Sequence, residues 1–214
     1  MGKASKVKFT AAEKDILCEI GNMCAGNATT ALAQILGKRI ELELPAVHVV
    51  DPQKLPYYLK VDPEESVIGI HLQIWGGAHG NALMVFPTSD SHLLIDLLIG
   101  AHEERASTLT EIGISALKEV GNIVVSSYLS ALSAFTGISA FPSTVTLTSG
   151  SAKSLVNLAF SGLRKEECQQ IILVEACFSE RKRDLKGKFF IIFDAESIAD
   201  ILKKAKSMVN EKGS

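Results

Sequence analysis

Two segments of this chain carry the same polar stripe, 100 positions apart. Asp15, Glu19, Asn22 and Gly26 fall at i, i+4, i+7 and i+11, and Ser115, Glu119, Asn122 and Ser126 repeat that spacing. On an α-helix such positions line up along one face. Gly and Asn are poor residues for a helix interior, where Gly costs about 1 kcal/mol relative to Ala. Keeping them in a line twice gives up helix stability for a surface that something else must approach. Ile16, Ile20, Met23, Ala31, Leu32 and Ile35 lie on another face, the one expected to meet a core.

The repeat extends beyond the stripes. Leu17/Leu117, Glu19/Glu119, Gly21/Gly121, Asn22/Asn122, Ala31/Ala131, Leu32/Leu132 and Gly37/Gly137 are identical at the same offset. Thr10-Ala-Ala-Glu13 reads as a capping box opening a helix that Gly37 ends; Thr108-Leu-Thr-Glu111 and Gly137 read the same way for a second. After the first helix come an alternating strand (Ile40–Leu44, continued by Val47–Val50) and a proline-bearing connection over 51–65. A hairpin of Val67–Trp75 with Asn81–Phe86 follows, then a short helix, about Ser89–Ile99, closed by Gly100. After a polar linker at 101–109 the second half repeats this order. It has a strand at Thr144–Thr148, a longer connection at 149–170 with a short helix near Ser154–Phe160, and a hairpin of Ile171–Phe178 with Lys188–Phe193. A closing helix spans about Ala195–Met208. The expectation is an α+β fold with pseudo-two-fold duplication and two long site-bearing helices packed on a β-sheet. It forms one domain over residues 1–214, built of repeats at about 10–100 and 108–208.

Composition removes several functions. With 214 residues, 47% of them hydrophobic, the chain has the material for a sizeable core. A formal net charge of −2 gives no electrostatic reason to bind nucleic acid. No apolar run approaches the ~20 residues of a membrane span, and no secretory leader is present, so a cytoplasmic protein without membrane insertion is expected. Cys18, Cys24, Cys168 and Cys177 form no C-x-x-C pair and no zinc spacing, and the five histidines show no ligand spacing. No metal site is expected. Gly76-Gly77-Ala78-His79-Gly80 joins two strands and opens no helix, so it reads as a turn and not as a phosphate loop. The basic run Arg181–Lys188 reads as a solvated hairpin tip.

Packing and capping explain the repeated Leu, Ala and terminal Gly; they do not explain the repeated Glu and Asn. A carboxylate pairs with a cation or takes a proton. A carboxamide donates and accepts hydrogen bonds at once but has no useful pKa, so it orients a water without deprotonating it. That combination suits phosphoryl hydrolysis, in which placement and charge stabilisation carry most of the catalysis. No basic cluster accompanies the stripes, so the cation and the metal would come with the substrate.

The doubled pattern [Asp/Ser]-x-x-x-Glu-x-x-Asn-x-x-x-Gly-x-x-x-x-x-Leu resembles the CheC phosphatases of chemotaxis. Their relatives are CheX and the middle domain of the flagellar-switch protein FliY. The resemblance covers about residues 10–208. It implies a phosphatase that hydrolyses the aspartyl phosphate of phosphorylated CheY, with no cofactor of its own and Mg²⁺ carried by the bound CheY. By position, Glu19 with Asn22, and Glu119 with Asn122, are the two catalytic pairs: Glu meets the regulator's lysine and Asn positions the attacking water. Asp15, Gly26, Ser115 and Ser126 become supporting or partner-binding positions, Gly26 by admitting the partner backbone closely. Ser126 departs from the motif's Gly, which puts the balance between the two sites in question. CheD is a second implied partner, with the 149–170 connection as its candidate contact. The alternative is a non-catalytic module that binds phosphorylated CheY or serves as a FliY-like switch scaffold. The absence here of FliY's additional C-terminal domain favours CheC.

Overall fold

The computed structural model describes residues 9–37, 41–50, 57, 62, 64–99, 109–159, 171–180 and 185–212. The basic N-terminus, most of the 51–65 connection, the Gly100 stop, most of the following linker, the 160–170 stretch and the tip at 181–184 lie outside them.

Helix α1 spans Ala11–Leu36 and begins as its sequence predicts. The Glu13 amide donates to Thr10 Oγ1 at 3.2 Å and the Thr10 amide donates to Glu13 Oε2 at 2.8 Å, a complete capping box. Gly37 closes the helix in the left-handed region at φ 56°. Its counterpart α3 spans Glu111–Thr136 and ends at Gly137, φ 69°. The expected Thr108–Glu111 box is not the device that starts it. Thr110 is the cap, accepting from the Gly113 amide at 3.1 Å. Glu111 is then the first helical residue, and the third is a glycine with no side chain to reach back. Helix α2 covers Thr88–Ile99.

The strands are β1 (Glu41–Val50), β2 (Ser66–Gly76), β3 (Gly80–Pro87), β4 (Ala140–Pro142), β5 (Thr146–Ser151), β6 (Ile171–Glu180) and β7 (Leu185–Phe193). Helices α4 (Ala152–Ala159) and α5 (Ala195–Lys212) complete the described chain. All seven strands join one antiparallel sheet in the order β1-β6-β7-β3-β2, with β4 and β5 both on the free side of β2. This order is a palindrome of the two halves: β1 answers β5, β6 answers β2 and β7 answers β3. The centre of the palindrome therefore lies where β3 pairs with β7, in a register that includes Leu83↔Phe190, and each outer strand pairs with a strand of the other half.

The symmetry reaches the irregularities. Between Glu43 and Ala46, β1 takes three steps against two on β6, from Cys177 to Glu175. On the other edge the chain takes four steps from Pro142 to Thr146 against three on β2, from Ile74 to His71. One extra residue is a β-bulge in the first half. In the second it becomes a corner at Ser143–Val145, so the strand expected at Thr144–Thr148 begins at Thr146 and runs to Ser151, with the short β4 as a separate strand before the corner.

One face of the sheet carries the main core. Ile68, Ile70, Leu72 and Ile74 of β2, Met84 and Phe86 of β3, and Phe189, Ile191 and Phe193 of β7 meet α1 and α3, flanked by α2 and α5. Cys24 is fully buried there, and burial pushes its thiol up to about 12. The opposite face holds α4, where Leu155 lies over Gly69 so closely that a Cβ at 69 would stand 2.5 Å from Leu155 Cδ2. The buried face of α1 is rotated from expectation. Leu17, Ile20, Gly21, Cys24, Ala25, Ala28, Leu32 and Leu36 are buried, whereas Ile16, Met23, Ala31 and Ile35 are only partly so. Helix α1 packs on α3 as well as on the sheet, and its buried face includes the small residues Gly21, Cys24, Ala25 and Ala28, which a search for large apolar ones overlooks.

Candidate functional site

The rotation of α1 determines where its stripe points. With Leu17, Gly21, Cys24 and Ala28 turned inward, Asp15, Glu19 and Asn22 lie on the outer side and are exposed, and Gly26 is half-buried. Helix α3 repeats the arrangement: Leu117, Val120, Gly121, Val124 and Tyr128 are buried, Ser115, Glu119 and Asn122 are exposed, and Ser126 is half-buried. Each Glu and Asn pair shares a helix face one turn apart, with Cβ atoms about 5–6 Å from one another by helix geometry. The structure thus brings each quartet together on its own helix.

Three glycine or serine positions acquire distinct explanations. A Cβ on Gly26 would meet nothing within 4 Å, so close packing inside the chain does not require glycine there. The carbonyl of Gly26 is satisfied by the Thr30 hydroxyl at 2.9 Å. At Gly121 the opposite holds: a Cβ would stand 2.4 Å from Ile70 Cγ2. Gly121 sits between Glu119 and Asn122 in the chain, and its missing side chain lets α3 settle on β2. Among the described residues Ser126 makes no hydrogen bond back to its helix, in contrast to Thr29 and Thr30 on α1.

The surroundings of the second stripe were not anticipated from the sequence. An open groove of about 610 Å³ runs beside it, lined by Ser115, Lys118, Glu119 and Asn122 on one side and the Pro142–Val145 corner on the other. A further groove of about 670 Å³ lies between the long helices, where Asn27, Thr30 and Gln34 of α1 face Asn122, Ser126 and Ser130 of α3. The corner's turn-forming Pro142 and Ser143 were visible in the sequence, but nothing local to them indicated that α3 lies alongside. No group of three or more His, Cys, Asp or Glu side chains able to hold a metal occurs among the described residues. No described helix is long and apolar enough to cross a membrane.

Helices on one face of an antiparallel, pseudo-symmetric sheet, each presenting an exposed Glu and Asn pair, define a duplicated α+β module with two equivalent helical surfaces. The profile of the CheC-like family matches residues 13–49 and 112–139, taking in both stripes. The chain is 27% identical over 188 residues to the CheY-P phosphatase CheC of Bacillus subtilis (strain 168), covering 86% of this chain and 90% of that one. It is 30% identical over 122 residues to the flagellar motor switch phosphatase FliY of the same organism, covering 56% of this chain but 31% of FliY. In fold it is similar to FliY of Thermotoga maritima, with TM-score 0.74 at 23% identity over 94% of this chain and 99% of that one. It is also similar to a chain in the CheX–CheY–BeF3–Mg²⁺ complex from Borrelia burgdorferi, with TM-score 0.55 at 14% identity over 82% and 96%. The chain is thus similar in sequence to the CheC-like family across both stripes, and in fold to FliY and to a chain of the CheX–CheY complex.

Proposed function

We propose that this protein dephosphorylates a CheY-type response regulator and acts in the cytoplasm. Glu19 with Asn22, and Glu119 with Asn122, form two active surfaces. The observation that carries this reading is the exposed Glu-x-Gly-Asn stripe, present once on each long helix and turned away from the core both times.

The chemistry follows from what the side chains are able to do. The aspartyl phosphate, the Mg²⁺ and a nearby cation belong to the regulator. When the helix docks, its Glu pairs with that cation and fixes the register. The Asn carboxamide oxygen then accepts a hydrogen bond from a water, holding it in line with the phosphorus with its lone pair aligned. The water attacks, the P–O bond to the aspartyl carboxylate breaks, and inorganic phosphate leaves. No protein group forms a covalent intermediate. Asp15 and Ser115 at one end, and Gly26 and Ser126 at the other, frame the contact. The family resemblance adds CheD as a second partner.

The test is phosphate release from the phosphorylated regulator with and without this protein. Acceleration supports the proposal. Unchanged release together with tight binding of the phosphorylated regulator would instead make the protein a capture module or switch scaffold.

A further inference from the structure

The two stripes are alike in their Glu and Asn but not in their flanks. Lys118 stands where the first stripe has Cys18, and its exposed side chain lines the groove beside Glu119 and Asn122. Across that groove the corner between β4 and β5 is held firmly. The Ser143 amide donates to the Gln73 carbonyl at 2.8 Å, the Gln73 amide donates to Ser143 Oγ at 2.9 Å, and Ser143 Oγ donates to the Thr144 carbonyl at 3.0 Å. These bonds tie the corner to β2 and leave Thr144 exposed on the rim, facing α3. Gly121 brings α3 near the same corner, since a Cβ there would stand 3.6 Å from Val145 Cγ1.

We infer that the second surface is a two-walled docking groove for the phosphorylated loop of the regulator, in which Lys118 and Thr144 are specificity contacts and Ser143 positions the corner. This rests on the function proposed above. The occupant is chosen by chemistry and continuity: an acyl phosphate is strongly anionic, Lys118 offers a cation at the rim, and the groove is continuous with the Glu119 and Asn122 face. Thr144 offers a hydroxyl from the opposing wall. A helix stripe alone gives one contact line; a fixed second wall limits the orientation in which the regulator enters. Specific interfaces gain discrimination in this way, and rim charges act mainly on encounter.

The experiment isolates the second surface in a Glu19→Ala, Asn22→Ala background. Lys118→Glu and Thr144→Trp are made there, with Lys204→Glu on α5 as a control. Phosphate release is followed against the concentration of phosphorylated regulator, and affinity is measured separately with the beryllofluoride-charged regulator. Each groove variant should raise KM and Kd by about tenfold while kcat stays within about twofold, and the control should match its background. Equal KM and Kd in the background and both groove variants would overturn the docking groove while leaving the phosphatase reading intact. A background protein that binds but releases no phosphate, with weaker binding in the groove variants, would preserve the groove and remove catalysis from this surface. Neither binding nor release in the background would overturn the groove as a regulator site. Matching thermal denaturation of the variants separates these outcomes from misfolding.

Discussion

Gly121 lies over Ile70 with no room for a side chain: a Cβ on the glycine would stand 2.4 Å from Ile70 Cγ2. The atom in the way is a branched methyl of a fully buried residue, which has no free direction to yield. The seat of the second Glu and Asn pair is therefore set by a contact on the reverse side of the same helix turn.

Gly121→Ala should lower unfolding free energy by about 1–3 kcal/mol through overpacking, more than offsetting the gain in helix propensity. It should also reduce activity at the second surface. Ile70→Ala alone opens a cavity and costs about 2–5 kcal/mol. Combined, the two changes should be less harmful than their sum by more than about 1 kcal/mol. A denaturant double-mutant cycle measures this coupling, and strict additivity would show that the contact does not govern the seat.

The start of α1 offers a test of its cap. Thr10→Ala should cost about 0.5–2 kcal/mol. Glu13, bonded to Lys206 Nζ at 2.8 Å and to Thr10, has its carboxyl lowered from 4.5 to about 2 by the lysine first and the threonine second. A depressed folded value makes this contribution present above the unfolded carboxylate range and lost as pH falls from about 4.5 toward 2. Glu13→Gln should flatten the acid limb of the stability curve. Because the pair is solvent-accessible, added salt should reduce the difference.

On the opposite face of the sheet, His71 Nε2 bonds Asn81 Oδ1 at 2.8 Å, and Asn81 Nδ2 donates to the Ala159 carbonyl at 3.0 Å. Burial lowers the imidazole pKa, with the Asn81 bond opposing in part. The buried ring is thus favoured in its neutral form. Its contribution is complete above the unfolded value near 6.5 and declines as pH falls below it. Thermal denaturation between pH 7.5 and pH 5.5 should show this loss, and His71→Gln should show a shallower slope from a lower starting stability. Asn81→Ala, which leaves the Ala159 carbonyl without that donor, should cost about 1–3 kcal/mol at any pH in this range.

Much of this layout was legible in the residues, for reasons that differ by element. The ends of α1 were readable because Thr10, Glu13 and Gly37 act through local backbone geometry. Both ends of α3, at Glu111 and Gly137, were readable, but the cap was assigned to Thr108 instead of Thr110, because both threonines suit the role and only the register of Gly113 decides between them. The stripes were legible because repetition separates them from ordinary surface polarity. The buried line of Gly21, Cys24, Ala25 and Ala28 was missed, since small residues announce close packing only once a neighbour is in place. The Lys118 groove was hidden for a related reason: its walls are more than 20 residues apart in sequence, and only the fold places Ser143 and Thr144 beside Asn122.

The most direct measurement is phosphate release from the phosphorylated regulator by the parent and by the variant carrying Glu19→Ala, Asn22→Ala, Glu119→Ala and Asn122→Ala together. All four side chains are exposed, so the variant should fold as the parent does. Either pair of substitutions alone should reduce the rate, and loss of water placement on both helices should lower it by about a hundredfold or more, to the regulator's own rate. A quadruple variant as fast as the parent would contradict the account.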